Sequence, residues 1–394
     1  MARQKKFREF FTSVQFLAVF VFLCACLLGY GGFFAVSLVS SYFAGAIDYA
    51  GGVAEVEEVF TPPPPVHIET PETVKAIYMT SWVAGTTDWR SSMVKMIEET
   101  ELNALVIDVK DYTGRISFEV SDPVLKEYGA QEIRIPNIKG FIESLHEKNI
   151  YTIARISIFQ DPYLVKKRPD LAVKTLSGEV WKDYKGITWL DPTNREVWDY
   201  MIRIAKESEM VGFDELNFDY IRFPSDGNMK DISYDHFDGT VPKAVAIRDF
   251  FEYLYFHLED LGVPLSADLF GMTTTNSDDL NIGQILEYAA PYFDYIAPMV
   301  YPSHYPRGFL GYKNPAEYPY EVVNFAMVKG VEKLINASTS PLKLRPWIQD
   351  FDLGATYDAS MVRKQIQATY DAGLTSWMLW SAANKYTRGA LLEN

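Results

Sequence analysis

From Val74 onward the chain repeats one pattern: a short apolar run of the kind a buried parallel strand needs, then an amphipathic stretch. The runs fall at 74–82, 104–111, 150–158, 213–220, 263–270, 293–301, 344–350 and 375–380. Eight βα repeats predict a parallel sheet, and closing it removes its edges, so the expected fold is α/β, a (β/α)8 TIM barrel over residues 73–394. Helices are expected at Ser91–Thr100, Ile138–Lys148, Arg195–Glu209, Pro242–Leu261, Asp279–Ala289, Pro319–Asn336 and Ser360–Ala372. Asp191-Pro192-Thr193-Asn194 supplies capping residues before the third, and Gly262 and Gly373 mark helix ends. The repeat averages 43 residues against roughly 31 in a 250-residue barrel, so the loops after strands 2, 3, 4 and 6 must be enlarged. Only 14 residues follow strand 8, so its helix must be short. A doubly wound sheet competes, but Trp82-Val83-Ala84-Gly85 is not its Gly-rich phosphate turn.

Ahead of the barrel, residues 1–47 read as a membrane anchor and 48–72 as a Pro-rich extracytoplasmic linker. Arg3, Lys5, Lys6 and Arg8 precede 38 residues without charge, Phe10 to Ile47, where a membrane helix needs about 20. A cleaved secretory signal has a shorter apolar core, although Ala44-Gly45-Ala46 would suit cleavage and secretion as the alternative. Leu23-Cys24-Ala25-Cys26 imitates a lipoprotein box, yet the apolar run continues past it. The basic flank stays in the cytoplasm, so the expected location is the cell membrane, single-pass, with the C-terminal domain outside. Pro62 to Pro65 stiffen the linker as polyproline II.

Charge and cysteine usage exclude several functions. The chain's −15 becomes −18 once the +3 of the N-terminal segment is set aside, so no nucleic-acid partner is expected. Cys24 and Cys26 are the only cysteines, and the five histidines form neither a His-x-His pair nor a His-Glu-x-x-His helix. No metal and no cofactor are expected.

In such barrels chemistry sits where the strands end. Period-2 alternation in strand 4 turns Asn217 and Asp219 toward the axis, and strand 5 does the same with Ser266 and Asp268. Two carboxylates on neighbouring strand ends are what glycosidic-bond hydrolysis uses, one as acid and one as nucleophile or base. On strand 2 the same parity groups Asp108 with Lys110, and on strand 3 it selects Arg155. With these cations beside strand 4, Asp219 is expected ionised and Asp268 protonated. Aromatic residues crowd the same end: Trp82, Tyr220, Tyr301, Tyr305 and Trp380, with Trp181 and Trp189 in the loop before strand 4. Flat rings with polar edges suit sugars. His304, in the loop after strand 6, and Gln349 and Asp350, which end strand 7, complete the candidate substrate-binding set.

Val106-Ile107-Asp108-Val109-Lys110-Asp111 with Gly114, Ala154-Arg155-Ile156 with Phe159-Gln160-Asp161-Pro162, Asn217-Phe218-Asp219-Tyr220-Ile221-Arg222-Phe223-Pro224, and Ile296-Ala297-Pro298-Met299-Val300-Tyr301-Pro302 carry a family resemblance. Over Val74–Trp380 the chain resembles uncharacterised bacterial glycoside hydrolases with an exported, often membrane-anchored TIM barrel. The resemblance implies a carbohydrate-active enzyme and adds Arg222 to the substrate-binding candidates. Acids on strands 4 and 5 are also similar to the alpha-amylase clan, where the strand-4 Asp is nucleophile and the strand-5 acid is proton donor; Asp268 stands where that clan has Glu. Strand 4 looks like the chitinase pattern Gly-Phe-Asp-Gly-x-Asp-x-Asp-x-Glu, but Ile221 occupies the position of the catalytic Glu and cannot protonate a leaving oxygen. The expected function is hydrolysis of cell-envelope or extracellular polysaccharide; the alternative is a non-catalytic barrel that binds envelope glycan.

Overall fold

The computed structural model describes residues 64–394. The anchor expected at 1–47 and linker residues 48–63 lie outside the described residues. Among the described residues no helix is long and apolar enough to cross a membrane.

Eight strands close into one barrel: β1 (Lys75–Met79), β2 (Ala104–Lys110), β3 (Tyr151–Ser157), β4 (Glu215–Asp219), β5 (Leu265–Phe270), β6 (Tyr295–Met299), β7 (Trp347–Gln349) and β8 (Trp377–Trp380). Each pairs in parallel with its sequence neighbours, and β8 returns to β1. The alternation read from sequence divides the apolar residues into two cores. Leu105, Ile107, Leu216, Phe218, Ala267 and Leu269 pack outward beneath the helices. Tyr78, Val106, Tyr151, Ile153, Ala297 and Trp347 fill the lumen, so the barrel is packed through its middle and only its C-terminal end is left to form a pocket.

The helices lie over Thr87–Glu99, Ile138–His146, Arg195–Met210, Lys243–Leu258, Pro319–Asn336 and Ala359–Asp371. Asn194 caps the third by accepting from Glu196 N–H at 2.9 Å. The helix expected over Asp279–Ala289 shrinks to Leu286–Ala289. Leu280, Asn281 and Gly283 take positive φ there, which turns the chain instead of winding it. After β8 only a 3-10 turn, Arg388–Ala390, stands in for an eighth helix.

The closed end of the barrel holds the last part of the expected linker. Asp214, fully buried just before β4, accepts from Thr152 N–H and Oγ1–H at 2.8 Å each, His146 Nε2 at 3.0 Å and Ile68 N–H at 2.9 Å. His67 pairs with Glu209 at 3.0 Å, and the Thr70 and Tyr151 hydroxyls meet at 3.0 Å. A buried carboxylate needs donors on every side, and the chain from His67 onward supplies some of them. These residues are part of the barrel floor rather than free spacer. Beside them Arg345 donates to both oxygens of Glu215 at 2.9 Å in a fully buried pair.

Candidate active site

The register between β4 and β5 pairs Asn217 with Ser266 and Phe218 with Ala267, so the next rung brings Asp219 level with Asp268. Between β3 and β4, Arg155 pairs with Asn217 and Ser157 with Asp219. Arg155 therefore reaches up the lumen into the middle of three carboxylates. Its Nη1 donates to Asp108 Oδ1 at 2.6 Å, its Nη2 donates to Asp219 Oδ2, and its Nε lies 3.5 Å from Asp268 Oδ2.

Each carboxylate has a distinct environment. Asp108 accepts from the Tyr78 hydroxyl as well as from Arg155, which occupies both of its oxygens. Burial raises its pKa even so. Asp219 accepts from Arg155 on Oδ2 and from Tyr220 N–H on Oδ1 at 2.5 Å. Tyr220 reaches that position because its φ of 55° breaks the strand; a positive φ at an aromatic residue is strained and recurs at functional sites. Asp268 accepts from Trp347 Nε1–H at 2.7 Å and Asn217 Nδ2–H at 3.0 Å, both on Oδ1, and its Oδ2 has no hydrogen bond among the described residues. Burial first, and the charge of Asp219 second, push its pKa up to about 7. One guanidinium cannot neutralise three carboxylates, so the cluster holds a proton most readily at Asp268.

Above this cluster opens a cavity of about 500 Å³, within the range of small-molecule sites. Asp219, Asp268 and Arg155 form its polar floor, and Tyr220, Phe270, Met299, Tyr301, Trp347 and Trp380 supply apolar walls. Trp380, half-buried, stacks on Tyr78 with ring centroids 4.0 Å apart and meets Trp347 edge-on at 5.5 Å. His304 sits exposed on the rim, its ring edge-on to Tyr301 at 5.2 Å. Gly271 keeps one wall thin, since a Cβ there would lie 2.4 Å from Met299 O.

Of the residues named from sequence, Asp219, Asp268, Arg155, Tyr220, Arg222, Tyr301, His304 and Trp380 line this cavity. Asp108 and Asn217 lie behind it and hold Arg155 and Asp268. Four others are corrected. Lys110 does not share the lumen: a bulge between Asp108 and Lys110 sets Lys110 opposite Ile156, on the outward face. There its Nζ pairs with buried Asp161 at 3.0 Å and donates to Ser157 O at 2.5 Å. Gly114 leaves room for that pair, because a Cβ would overlap Asp161 Oδ1 at 1.9 Å. Trp82 is 59% exposed and stacks under Arg134 at 4.3 Å, away from the cavity. Gln349 accepts from Ser303 Oγ–H at 2.9 Å and donates to Phe351 O at 2.8 Å, which uses its amide to join two loops. Asp350 accepts from Thr387 N–H and Oγ1–H at 2.8 and 2.7 Å and is likewise spent on the backbone. Trp181 and Trp189 are buried, and Ile221 points into the outer core.

Tyr78 and Trp347 are the residues sequence reading missed. Inward parity on strands 1 and 7 marks both, since each alternates with an outward-packed neighbour, Ile77 and Ile348. Neither carries a charge that would have drawn attention to it.

Residues 76–386 match a family described as a putative glycosyl hydrolase domain. No curated protein matches the sequence. Among solved structures, a hypothetical protein from Ruminiclostridium thermocellum is 37% identical over 52% of this chain and 98% of its own, with a TM-score of 0.46. The PgaB (BpsB) glycoside hydrolase domain from Bordetella bronchiseptica aligns over 79% of this chain and 95% of its own at 12% identity, TM-score 0.57. Alpha-L-fucosidase isoenzyme 2 from Paenibacillus thiaminolyticus aligns over 81% of this chain and 48% of its own at 11% identity, TM-score 0.56. The last two likenesses are of fold.

Proposed function

The chain belongs to this family of glycosyl hydrolase domains, and on that premise we propose that it cleaves a glycosidic bond in cell-envelope or extracellular polysaccharide. One observation carries the reading: Asp219 and Asp268 stand on adjacent strand ends at the floor of an aromatic cavity, where burial and the neighbouring Asp219 charge raise the pKa of Asp268 to about 7. Two acids of one type in different environments are how a glycosidase divides its roles.

In this proposal Asp268 is the proton donor. Its Oδ1 already takes two N–H donors, so the proton sits on Oδ2 and passes to the glycosidic oxygen as the bond to C1 breaks. Asp219, whose two oxygens both accept from N–H groups, either attacks C1 or takes a proton from the attacking water. The net negative charge left around Arg155 favours the positive charge that develops on the sugar. Trp380 and Tyr301 offer ring faces for it to stack on.

A second reading has its own observation. Asp268 has no exposed surface and Asp219 is tied to Arg155, which suits a barrel that binds glycan without cleaving it. Incubating the full-length protein with a panel of envelope and extracellular polysaccharides and counting new reducing ends separates the two. Reducing ends from the wild type, and none from Asp219→Asn or Asp268→Asn at equal folded concentration, are expected of the hydrolase. Retained binding with no new ends from any glycan would favour the binder.

The same proposal puts the domain outside the cell on a single-pass anchor, supported by the 38 uncharged residues and their basic flank.

A further inference from the structure

Four arginines are buried in the described residues: Arg134, Arg155, Arg222 and Arg345. Three hold a carboxylate: Arg134 meets Asp111 at 2.6 Å, Arg155 meets Asp108 at 2.6 Å, and Arg345 meets Glu215 at 2.9 Å. Arg222, only 8% exposed, forms no ion pair with any described residue. Its Nη1 donates to two neutral acceptors, Phe223 O and Ser225 Oγ, each at 3.1 Å. No described residue accepts from its Nε–H or Nη2 hydrogens, and the side chain lines the cavity beside Asp219 and Asp268.

Burying a guanidinium without a counterion costs several kcal/mol. The ring faces of Trp189 and Phe270, each 4.8 Å from Cζ, and of Tyr220 at 5.5 Å recover part of that cost. They also crowd the guanidinium on several sides and restrict its movement. A guanidinium fork that lines the cavity with no ion-pair partner among the described residues is suited to receive a planar or multi-oxygen anion.

We infer that Arg222 is the receptor for an anionic substituent on the substrate, so that the cavity takes an acidic sugar, bearing a carboxylate or a sulfate ester, next to the Asp219 and Asp268 pair. This inference rests on the proposed reading of the cavity as a glycan site. Desolvation lowers the pKa of Arg222 although Tyr220, Asp219, Asp183 and Asp226 act in the opposite direction, as expected of a cation whose direct partner arrives from outside. Repulsion of an acidic glycan by the acidic surface is screened over about 8 Å at physiological salt, which leaves contact chemistry to decide inside the cavity.

The test compares matched oligosaccharides on the full-length protein: a hexuronate form, its carboxyl-reduced neutral form, and a sulfate ester of the neutral form. Hydrolysis is followed by reducing ends and binding by calorimetry. The expected result is that one anionic form is preferred to the neutral form by about 10–100-fold in kcat/KM, the value of a hydrogen bond to a charge. Which anion is preferred identifies the source. Arg222→Gln should erase the preference, mainly by raising KM for the anionic form more than for the neutral form, and Arg222→Lys should keep part of it. Should Arg222→Gln not fold, the wild-type comparison alone still decides. Equal or better cleavage of the neutral form would overturn the anion receptor and leave the hydrolase standing. Binding of an anionic form that depends on Arg222, without turnover, would keep the receptor and overturn the hydrolase.

Discussion

Trp347 Nε1–H and Asn217 Nδ2–H both donate to the same oxygen of Asp268, Oδ1, at 2.7 and 3.0 Å. A proton on this carboxyl is therefore directed to Oδ2. The two donors also favour the charged form and hold down a pKa that burial and Asp219 drive upward. Trp347→Phe keeps the aromatic bulk and removes one donor, so the pKa of Asp268 should rise by about one unit, as one hydrogen bond to a charged group implies. The alkaline limb of the kcat/KM profile should move to higher pH by that amount.

In the wild type that limb should lie near pH 7. A proton donor works only while it holds its proton, so activity should persist below about pH 7 and fall tenfold per unit above it. A flat profile between pH 6 and 9 would remove Asp268 from the role of acid.

Stability should follow the same group with a definite sign. Asp268 titrates at about 7 when folded, against an ordinary aspartate value of 3.8. Between those values the native state holds a proton that the unfolded chain has released, so stability should decline as pH rises from about 4 to 7 and level off above. The full contribution is on the order of 4 kcal/mol. Denaturant titrations across this range should show the slope in the wild type and a shallower one in Asp268→Asn, the remainder coming from other buried carboxyls such as Asp108 and Asp161, whose pKa values burial also raises.

Asp219→Asn should lower turnover by several orders of magnitude while changing the melting temperature little. Arg155 keeps Asp108 at 2.6 Å and Asp268 at 3.5 Å, so the guanidinium is not stranded. A destabilised variant whose folded fraction retains full activity would sink the catalytic assignment.

Lys110→Met should behave in the opposite way. Its partner Asp161 is fully buried, and removing one member of such a pair costs about 3–5 kcal/mol. Thermal melting should fall sharply, while KM of the folded fraction stays at the wild-type value, because Lys110 faces away from the cavity.

Protease added to intact cells or spheroplasts should digest the domain of the full-length protein and leave the short N-terminal tail protected. Complete protection in sealed cells would reverse the proposed topology.

The barrel was legible because burial has a period. Eight apolar runs, each alternating between two packed faces, specify a closed parallel sheet, and the parity of strands 4 and 5 alone brought Asp219 and Asp268 to one rim. What sequence could not carry was anything set by one local departure from the period, or by which partner reaches a side chain first. A single bulge after Asp108 turned Lys110 out of the lumen and gave it to Asp161. Gln349 and Asp350 have the strand-end position and chemistry of ligand-binding groups, yet Ser303 and Thr387, far away in sequence, claim them. Arg222 is one of many arginines until the fold buries it among three rings with no ion-pair partner among the described residues. Periodicity is a property of neighbours along the chain and survives in the sequence. Pairing, desolvation and the pKa of Asp268 depend on groups brought close only when the barrel closes, and only the tertiary structure decides them.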